Sequence, residues 1–163
     1  MSMPWTKPYQ PPKNQRLDPA LYADVDRVVF ITIRAYQDLT PFNEADRNAA
    51  ILDCLKEEQA RNHCCIFTYC LMPDHLHYLI SPEQNGSSVL RFTDQFKGKA
   101  TNLSWKLGWR GKLWQPCCFD HVVRAEEDLR AIAQYILDNP VRKGLIERAE
   151  DWRWSGHFNP LPL

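Results

Sequence analysis

The amino-acid sequence predicts an α+β fold: a ferredoxin-like β-α-β-β-α-β antiparallel sheet, covered by helices on one face, with a C-terminal helix that carries a tyrosine. Segments rich in β-branched and aromatic residues alternate with segments whose apolar residues recur every three or four positions. Two strand-like segments are separated only by Met72-Pro73-Asp74, which indicates an antiparallel hairpin. With 163 residues the chain can bury one sizeable core but hardly two, so we expect one domain.

The first half of the chain is predicted to contain an arm, three strands and one helix. Prolines recur throughout residues 1–22 and disfavour regular structure, so this segment is predicted to be an extended arm that precedes a domain over 23–163. Pro41-Phe42-Asn43 offers a helix cap. The predicted elements are a strand over 27–34, a helix from Ala45 to about Ala60, a strand over 63–71 and a strand from His75 to about Ile80.

The second half is predicted to alternate helix, strand and helix. The clearest amphipathic helix follows Gly86, because its apolar positions are spaced by three and four residues: Val89, Phe92, Phe96, Ala100, Leu103 and Leu107. Residues 117–124 are predicted to form a strand. Glu126-Glu127-Asp128 then places acidic side chains at the positive end of a last helix, which Asn139-Pro140 is expected to close.

Composition limits the possible functions. The formal net charge is +0, so a nucleic-acid partner must be argued from local charge. No run of eighteen apolar residues occurs and the N-terminus does not resemble a secretory leader, so we expect a cytoplasmic protein without a membrane partner. The 6 cysteines lack CxxC spacing and are interpreted as buried free thiols.

A pair of histidines forms a candidate metal site. His75 and His77 are two residues apart in a predicted strand, so both side chains point to one face of the sheet. Two neighbouring imidazoles can bind one divalent cation. The alternative is that they are ordinary polar residues on a solvated sheet face, because so short a motif also occurs by chance.

A tyrosine near the end of the last helix is a candidate nucleophile. Tyr135 and Asn139 are four residues apart, on one helical face at the flank of the predicted core stripe. A hydroxyl nucleophile and an amide oxygen ligand can therefore be directed to the same place. The alternatives are that Tyr135 packs at the core edge and that Asn139 terminates the helix.

A local basic segment is a candidate DNA-binding surface. Between residues 91 and 112 a single acidic residue, Asp94, stands against six basic ones, and tryptophans are interleaved with them. Such a combination neutralises phosphates and stacks bases, although it is also typical of a solvated helix face. The residues concerned are Arg91, Lys97, Lys99, Lys106, Arg110, Lys112 and the neighbouring Trp114.

Three ordered segments together resemble the REP-associated tyrosine transposases, a branch of the HUH (histidine, hydrophobic residue, histidine) single-tyrosine transposase superfamily. The similarity extends from about Arg27 to His157. The first segment is Tyr69-Cys70-Leu71-Met72-Pro73-Asp74-His75-Leu76-His77. The second consists of Leu113-Trp114-Gln115-Pro116 followed by Asp120-His121-Val122-Val123-Arg124. The third consists of Glu127-Asp128-Leu129, Tyr135-Ile136, Asn139-Pro140-Val141-Arg142-Lys143-Gly144-Leu145 and finally Asp151-Trp152-Arg153-Trp154-Ser155.

The resemblance implies a function and a site. It implies a ferredoxin-like core, Tyr135 as nucleophile, and His75, His77 and Asn139 as ligands of Mg²⁺ or Mn²⁺, in an enzyme that cuts single-stranded or hairpin DNA of palindromic repeats through a 5′-phosphotyrosine. A tyrosine hydroxyl, with an ordinary pKa of about 10, needs such a metal to attack a phosphate. The chain departs from the family at Cys117-Cys118-Phe119 and at Lys143, positions not expected to touch the chemistry.

Several further expectations remain open at this point. Arg124 and Arg142 are expected to contact DNA, and His121 is expected to shuttle a proton, contact phosphate, or make a structural hydrogen bond to Asp120 or the backbone. A monomer is expected, with Tyr135 acting in its own site. Two other functions compete: a non-cleaving DNA- or RNA-binding regulator of the same fold, and a zinc-type hydrolase built on the histidine pair.

Overall fold

The protein is described here from a computed structural model, in which residues 9–10 and 17–162 are described. Most of the proposed arm, residues 1–8 and 11–16, lies outside the described residues; its end, Pro19–Ala23, forms a short 3-10 helix. The remaining elements are β1 (Val29–Arg34), α1 (Ala45–Arg61), β2 (Cys64–Met72), β3 (His75–Pro82), α2 (Val89–Lys106), β4 (Phe119–Val122), α3 (Leu129–Leu137), α4 (Asn139–Arg142) and β5 (Ser155–His157), with 3-10 turns at Tyr36–Asp38 and Ala149–Asp151.

The strands form one antiparallel sheet in the order β4-β1-β3-β2-β5. Its first four members have the arrangement of the predicted ferredoxin-like plan, which confirms the α+β fold. The fifth strand, β5, was not predicted. It is only three residues long, too short for an alternating pattern to identify it.

Helices cover both faces of the sheet, so the prediction that they cover one face is wrong. One core packs α1 and α2 against alternate strand residues such as Ile31, Ile33 and Tyr78. A smaller core packs α3 against the other face, through Phe30, Leu79 and their neighbours. The physical reason is that β2 buries apolar residues on both faces. Ile66 and Leu71 enter the larger core and Phe67 and Cys70 enter the smaller one, a pattern typical of a sheet covered on both sides.

The smaller core leaves one end of its sheet face open. Here β1 and β3 present polar side chains next to the apolar ones, with Thr32 opposite His77 and Arg34 opposite His75 in the antiparallel register. Alternation places these four side chains on the α3 side of the sheet. This corner, bounded by α3 and α4, holds the candidate site.

The last helical region is divided in two. Asp128 caps α3 by accepting hydrogen bonds from two backbone N–H groups, and α3 ends at Leu137. Asn139 begins α4, with Pro140 in its first turn, where a missing N–H costs nothing. The predicted helix end at Asn139-Pro140 therefore lies two residues beyond the observed end at Leu137. Asn139 is the first residue of a new helix, not the last residue of α3.

Two expectations from composition can be compared with the fold. All 6 cysteines are free thiols, although Cys117 is exposed and Cys65 and Cys118 are only half-buried, so the prediction of burial is wrong for these three. Within residues 9–10 and 17–162, no helix has the length and apolar character needed to cross a membrane.

Candidate active site

The two histidines are brought together at the start of β3. Both are nearly fully buried, His75 at 4 % and His77 at 8 % exposure, and their Nε2 atoms are 3.0 Å apart. The prediction that they share a face of the sheet is confirmed. Because that face is buried here, the alternative that they are ordinary polar residues on a solvated sheet face is wrong. Two imidazole nitrogens that share one ion at about 2.1 Å and roughly a right angle would stand about 3.0 Å apart, so this spacing fits a shared cation.

Each histidine is oriented by a hydrogen bond to its other ring nitrogen. His75 Nδ1 is 2.6 Å from Asp74 Oδ1, and His77 Nδ1 is 2.8 Å from Thr32 Oγ1. A carboxylate can only accept, so His75 donates from Nδ1 and keeps the lone pair on Nε2. If His77 likewise donates to Thr32, both lone pairs converge on one point, as in histidine metal sites with carboxylate or hydroxyl partners.

Burial keeps the two imidazoles neutral. It lowers the pKa of His75, partly opposed by the hydrogen bond and charge of Asp74, and it lowers the pKa of His77 well below the usual histidine range. Nearby positive groups, Arg142 among them, lower the pKa of His77 further. Neutral imidazole is the form that binds a metal ion.

Asn139 completes a candidate ligand set. Its side chain is 3 % exposed and its Nδ2 lies 3.0 Å from His75 Nε2. A half-turn of the amide exchanges this nitrogen for the oxygen, which can bind a cation. Across the part of the chain that the structure describes, no group of three or more His, Cys, Asp or Glu side chains is suitably placed for a metal. The Asn139 amide beside His75 is therefore the candidate third ligand.

Tyr135 lines the same cavity from α3. The cavity has a volume of about 470 Å³ and includes His75, His77 and Asn139 in its walls. The tyrosine is half-buried, which confirms that it lies at the flank of the core face. Its ring packs against two groups: the Arg142 guanidinium, 3.8 Å from the ring centroid, and the Tyr9 ring, at a centroid distance of 5.3 Å.

The cavity is positively charged overall. Arg34, Arg142 and Lys143 line it, against the single carboxylate of Asp74. Sequence reasoning missed Arg34 as a site residue, although its place two residues after Thr32 in a strand puts it on the same face. Lys143 and the 117–119 segment were expected to lie away from the chemistry, but Lys143 and Phe119 both line this candidate cavity, whereas Cys117 and Cys118 do not.

Part of the predicted basic DNA-binding surface is engaged in internal contacts. Lys97 donates to the backbone carbonyl of Gln115 at 2.7 Å, and Lys99 forms an ion pair with the buried Glu58 at 2.5 Å. Trp114 is 6 % exposed and packs against Phe42, so its ring is not available to stack on a base and that prediction is wrong. Arg91, Lys106, Arg110 and Lys112 are exposed, on or beyond α2, across the sheet from the histidines.

The two remaining candidates lie near the opposite end of α3. His121 Nε2 is 2.9 Å from Glu127 Oε1, which favours the structural hydrogen bond among its alternatives, with Glu127 as the partner instead of Asp120. Arg124 is exposed and lines a larger hollow of about 740 Å³ at the start of α3. That hollow contains neither a histidine nor a tyrosine, so the smaller cavity is the candidate active site.

The chain belongs to the family described as Transposase IS200 like, which it matches over residues 27–139. That range includes all four proposed catalytic and metal-binding residues. Among curated relatives, it is 30% identical over 96 residues to a Haemophilus influenzae protein provisionally assigned as a REP-associated tyrosine transposase, covering 53% of this chain and 54% of that one. It is 24% identical over 90 residues to the Escherichia coli REP-associated tyrosine transposase, covering 55% and 52%. The chain thus spans about half the length of the curated relatives it matches.

Solved structures show the same fold. The structure of a REP-associated tyrosine transposase bound to a REP hairpin matches with a TM-score of 0.70 and 19% identity, covering 88% of this chain and 81% of that one. A Deinococcus radiodurans protein provisionally assigned as a transposase matches with a TM-score of 0.51 and 19% identity, covering 69% and 90%. The resemblance stated from the sequence motifs is confirmed.

Proposed function

We propose that this protein is a metal-dependent endonuclease and strand transferase that acts on single-stranded or hairpin DNA through a 5′-phosphotyrosine intermediate. One observation carries the proposal. Tyr135, the two histidines and Asn139 line a single cavity whose other walls supply three cations. A nucleophile, metal ligands and phosphate-neutralising groups are the parts that phosphoryl transfer to a protein side chain requires.

His75, His77 and Asn139 would hold a divalent cation, and the fit rests on this chain's own donors. The two Nε2 atoms converge, their Nδ1 atoms are bonded elsewhere, and the amide lies within 3.0 Å. When bound, such a cation polarises the phosphate and offsets charge that develops on its oxygens. Imidazole ligands favour Mn²⁺, whereas Mg²⁺ prefers oxygen, so Mn²⁺ is the first metal to test.

The protein's own groups position the tyrosine and the phosphate. Arg142 covers the Tyr135 ring at 3.8 Å and holds its plane, while Arg34 and Lys143 neutralise phosphate charge at the cavity. The Tyr135 oxygen forms a bond to phosphorus, its proton leaves to solvent, and the bond from phosphorus to the 3′ oxygen breaks. That oxygen takes up a proton and becomes a free 3′-hydroxyl. Attack by a 3′-hydroxyl on the adduct reverses these steps and rejoins strands.

The proposed substrate is hairpin DNA from palindromic repeats. The solved relative of the same fold is bound to a REP hairpin, and two curated relatives carry the REP-associated name. We also propose a monomer, because all the proposed catalytic and metal-binding residues come from one chain and line one cavity.

Cleavage of a labelled hairpin in Mn²⁺ tests the proposal. His75→Ala and His77→Ala should abolish cleavage but keep most hairpin affinity, since the histidines are ligands and not phosphate contacts. His157→Ala is the matched control, because this exposed histidine lies on β5, outside the cavity. Cleavage at the wild-type rate in either cavity variant would remove the metal assignment.

Other results would identify the competing functions. Hairpin or RNA binding without any cleaved product, in every divalent metal tested, would identify a non-cleaving regulator of the same fold. Full activity of Tyr135→Phe, together with a strong preference for zinc, would identify a zinc-type hydrolase, because hydrolysis by water needs no tyrosine.

A further inference from the structure

Two pairs of adjacent cysteines occur in the chain, and their environments differ. Cys64 and Cys65 lie in β2, where neighbouring side chains point to opposite faces of the sheet. Cys64 enters the larger core, whereas Cys65 packs against the smaller one. Cys117 and Cys118 instead lie at a bend before β4, with Cys117 exposed and Cys118 half-buried. Of the two pairs, the second is the one that a reagent in solution can reach.

One ammonium group lies beside both thiols of the second pair. Lys97 Nζ donates to the carbonyl oxygens of Gln115 at 2.7 Å and of Pro116 at 3.2 Å, directly before the cysteines in the chain. Burial lowers the pKa of Lys97, and the charges of Cys118 and Cys117 oppose that lowering, so both sulfurs interact with this one ammonium group. Both sulfurs therefore lie near the same point of the structure. A cation beside a thiol favours the thiolate form, which is the form that binds soft ions.

The other four cysteines are poor competitors for a thiol reagent. Burial raises the pKa of Cys54 to about 11, and it raises the pKa of Cys64 and of Cys70 to about 12. Burial also raises the pKa of Cys65, and the carboxylate of Glu83 adds to this increase. A thiol with a raised pKa supplies little thiolate near neutral pH, so we expect these four to react slowly.

The accessible pair suits a ligand that needs only two protein thiols. Structural zinc uses four protein ligands, and the described part of the chain has no group of three or more His, Cys, Asp or Glu side chains placed to hold a metal. A disulfide within the pair is disfavoured, because adjacent Cα atoms are about 3.8 Å apart and disulfides usually span roughly 4.4–6.8 Å. Trivalent arsenic is a soft centre that forms three bonds, so two cysteine sulfurs and one hydroxide or aryl group satisfy it.

The pair directly precedes a residue of the candidate active site. Phe119 begins β4, an edge strand of four residues, and lines the cavity that contains the histidines. It stands opposite Thr32 in the register with β1, and Thr32 Oγ1 lies 2.8 Å from His77 Nδ1. A change in backbone conformation at residues 117–118 therefore acts on the next residue along the chain, which forms part of the cavity wall.

We propose that Cys117 and Cys118 form a dithiol site for trivalent arsenic, and that occupation of this site slows cleavage in the neighbouring cavity. With arsenous acid, each thiol gives up its proton, two As–S bonds form and two As–O bonds break, so that two waters leave. Arsenic stays trivalent, and no oxidant or reductant takes part. The second half of the proposal rests on the proposed function, since it assumes that the cavity cuts DNA.

Intact-mass spectrometry with phenylarsine oxide tests the site itself. The oxygen of the reagent leaves as water, so wild type should gain the mass of a single phenylarsenic group. This adduct should persist in excess 2-mercaptoethanol and be removed by 2,3-dimercaptopropanol, because a chelate held by two sulfurs resists a monothiol but not a dithiol. Cys117→Ser and Cys118→Ser should each lose the resistant adduct. Cys65→Ser is the matched control, because it removes one cysteine of the strand pair and should keep the adduct.

Hairpin cleavage in Mn²⁺ tests the coupling to the cavity. A misplacement of about 1 Å near reacting groups can cost about 100-fold in rate, so phenylarsine oxide should slow wild-type cleavage by about 10-fold or more. Removal of the arsenic with 2,3-dimercaptopropanol, followed by desalting, should restore the rate. Cys117→Ser should cut at the wild-type rate with or without the reagent. Because Cys117 is exposed, this variant removes the chelate without a change in either core.

The outcomes distinguish this inference from the proposed function. A wild-type adduct that excess 2-mercaptoethanol removes, or a resistant adduct that survives in Cys117→Ser, overturns the dithiol site. A resistant adduct in wild type with an unchanged cleavage rate overturns the coupling to the cavity. Absence of cleavage by untreated wild type in every divalent metal overturns the proposed function and the coupling, and the mass measurement then decides the site independently.

Discussion

Replacing Thr32 by Val should weaken metal binding without disrupting the fold. The two side chains have nearly the same shape, so the change removes only the hydroxyl that lies 2.8 Å from His77 Nδ1. Loss of such a partner to a metal-binding histidine typically costs 10- to 100-fold in metal affinity, or about 1.4–2.8 kcal/mol. The free energy of unfolding should fall by only about 1 kcal/mol, the usual net value of one hydrogen bond.

The chain provides a matched control for this variant. Thr68 Oγ1 lies 2.9 Å from His157 Nδ1 on the same sheet, so Thr68→Val removes the same kind of hydrogen bond away from the cavity. Isothermal titration with Mn²⁺ measures metal affinity, and urea unfolding measures stability. We expect Thr32→Val alone to lose metal affinity, with cleavage restored at higher Mn²⁺ concentration. Equal Mn²⁺ affinity in the two variants would refute the reasoning that Thr32 orients a ligand.

Three further results are expected. The pKa of His75 and of His77 is lowered in the folded protein. As the pH decreases below the unfolded-state pKa of about 6.5, the unfolded chain therefore binds more protons than the folded one, and the free energy of unfolding decreases. Urea unfolding between pH 7.5 and 5 should show this loss of stability, and His77→Gln should make the loss smaller. An equal loss in His77→Gln would contradict the attribution of the pH dependence to this histidine. Lys99→Gln should lower the free energy of unfolding by about 1 kcal/mol and leave hairpin affinity unchanged, because Lys99 pairs with buried Glu58. Weaker hairpin binding with unchanged stability would instead support the DNA contact that the sequence predicted for Lys99. The Tyr9 hydroxyl is buried without a hydrogen-bond partner among the described residues, so Tyr9→Phe should raise the melting temperature or leave it unchanged and keep cleavage intact; a marked loss of either would show a role for the hydroxyl.

The periodic spacing of apolar residues predicted the individual helices and strands. The helical spacing of α2 and the alternation in β3 gave the elements and the shared face of His75 and His77 within a few residues. The number of helix-covered faces depends on where α3 packs after the chain has crossed the sheet, which local spacing does not record. The nearly continuous apolar run of β2 was the available indication.

The sequence predicted those site residues whose positions depend on the repeat of a single strand or helix. It did not predict those that reach the cavity only through tertiary contacts. Tyr135 and Asn139 were placed together by their spacing of four residues, although α3 ends between them. Arg34 and Lys143 reach the cavity from two distant parts of the chain, so no short motif joins them. Trp114 looked like part of a basic surface in sequence, but it pairs with Ala35 at the end of β1 and its ring enters the larger core.

The measurement that tests the central claim most directly is transfer of DNA label to the protein. The hairpin is labelled on the 3′ side of the cut, incubated with wild-type protein and Mn²⁺, and analysed by denaturing electrophoresis. Tyr135→Phe removes only the hydroxyl and keeps the ring that packs under Arg142, so fold and hairpin affinity should survive. The account predicts a metal-dependent labelled protein band in wild type and none in Tyr135→Phe. Efficient cutting without a labelled band, or a labelled band in Tyr135→Phe, would contradict it, because water or another side chain would then be the nucleophile.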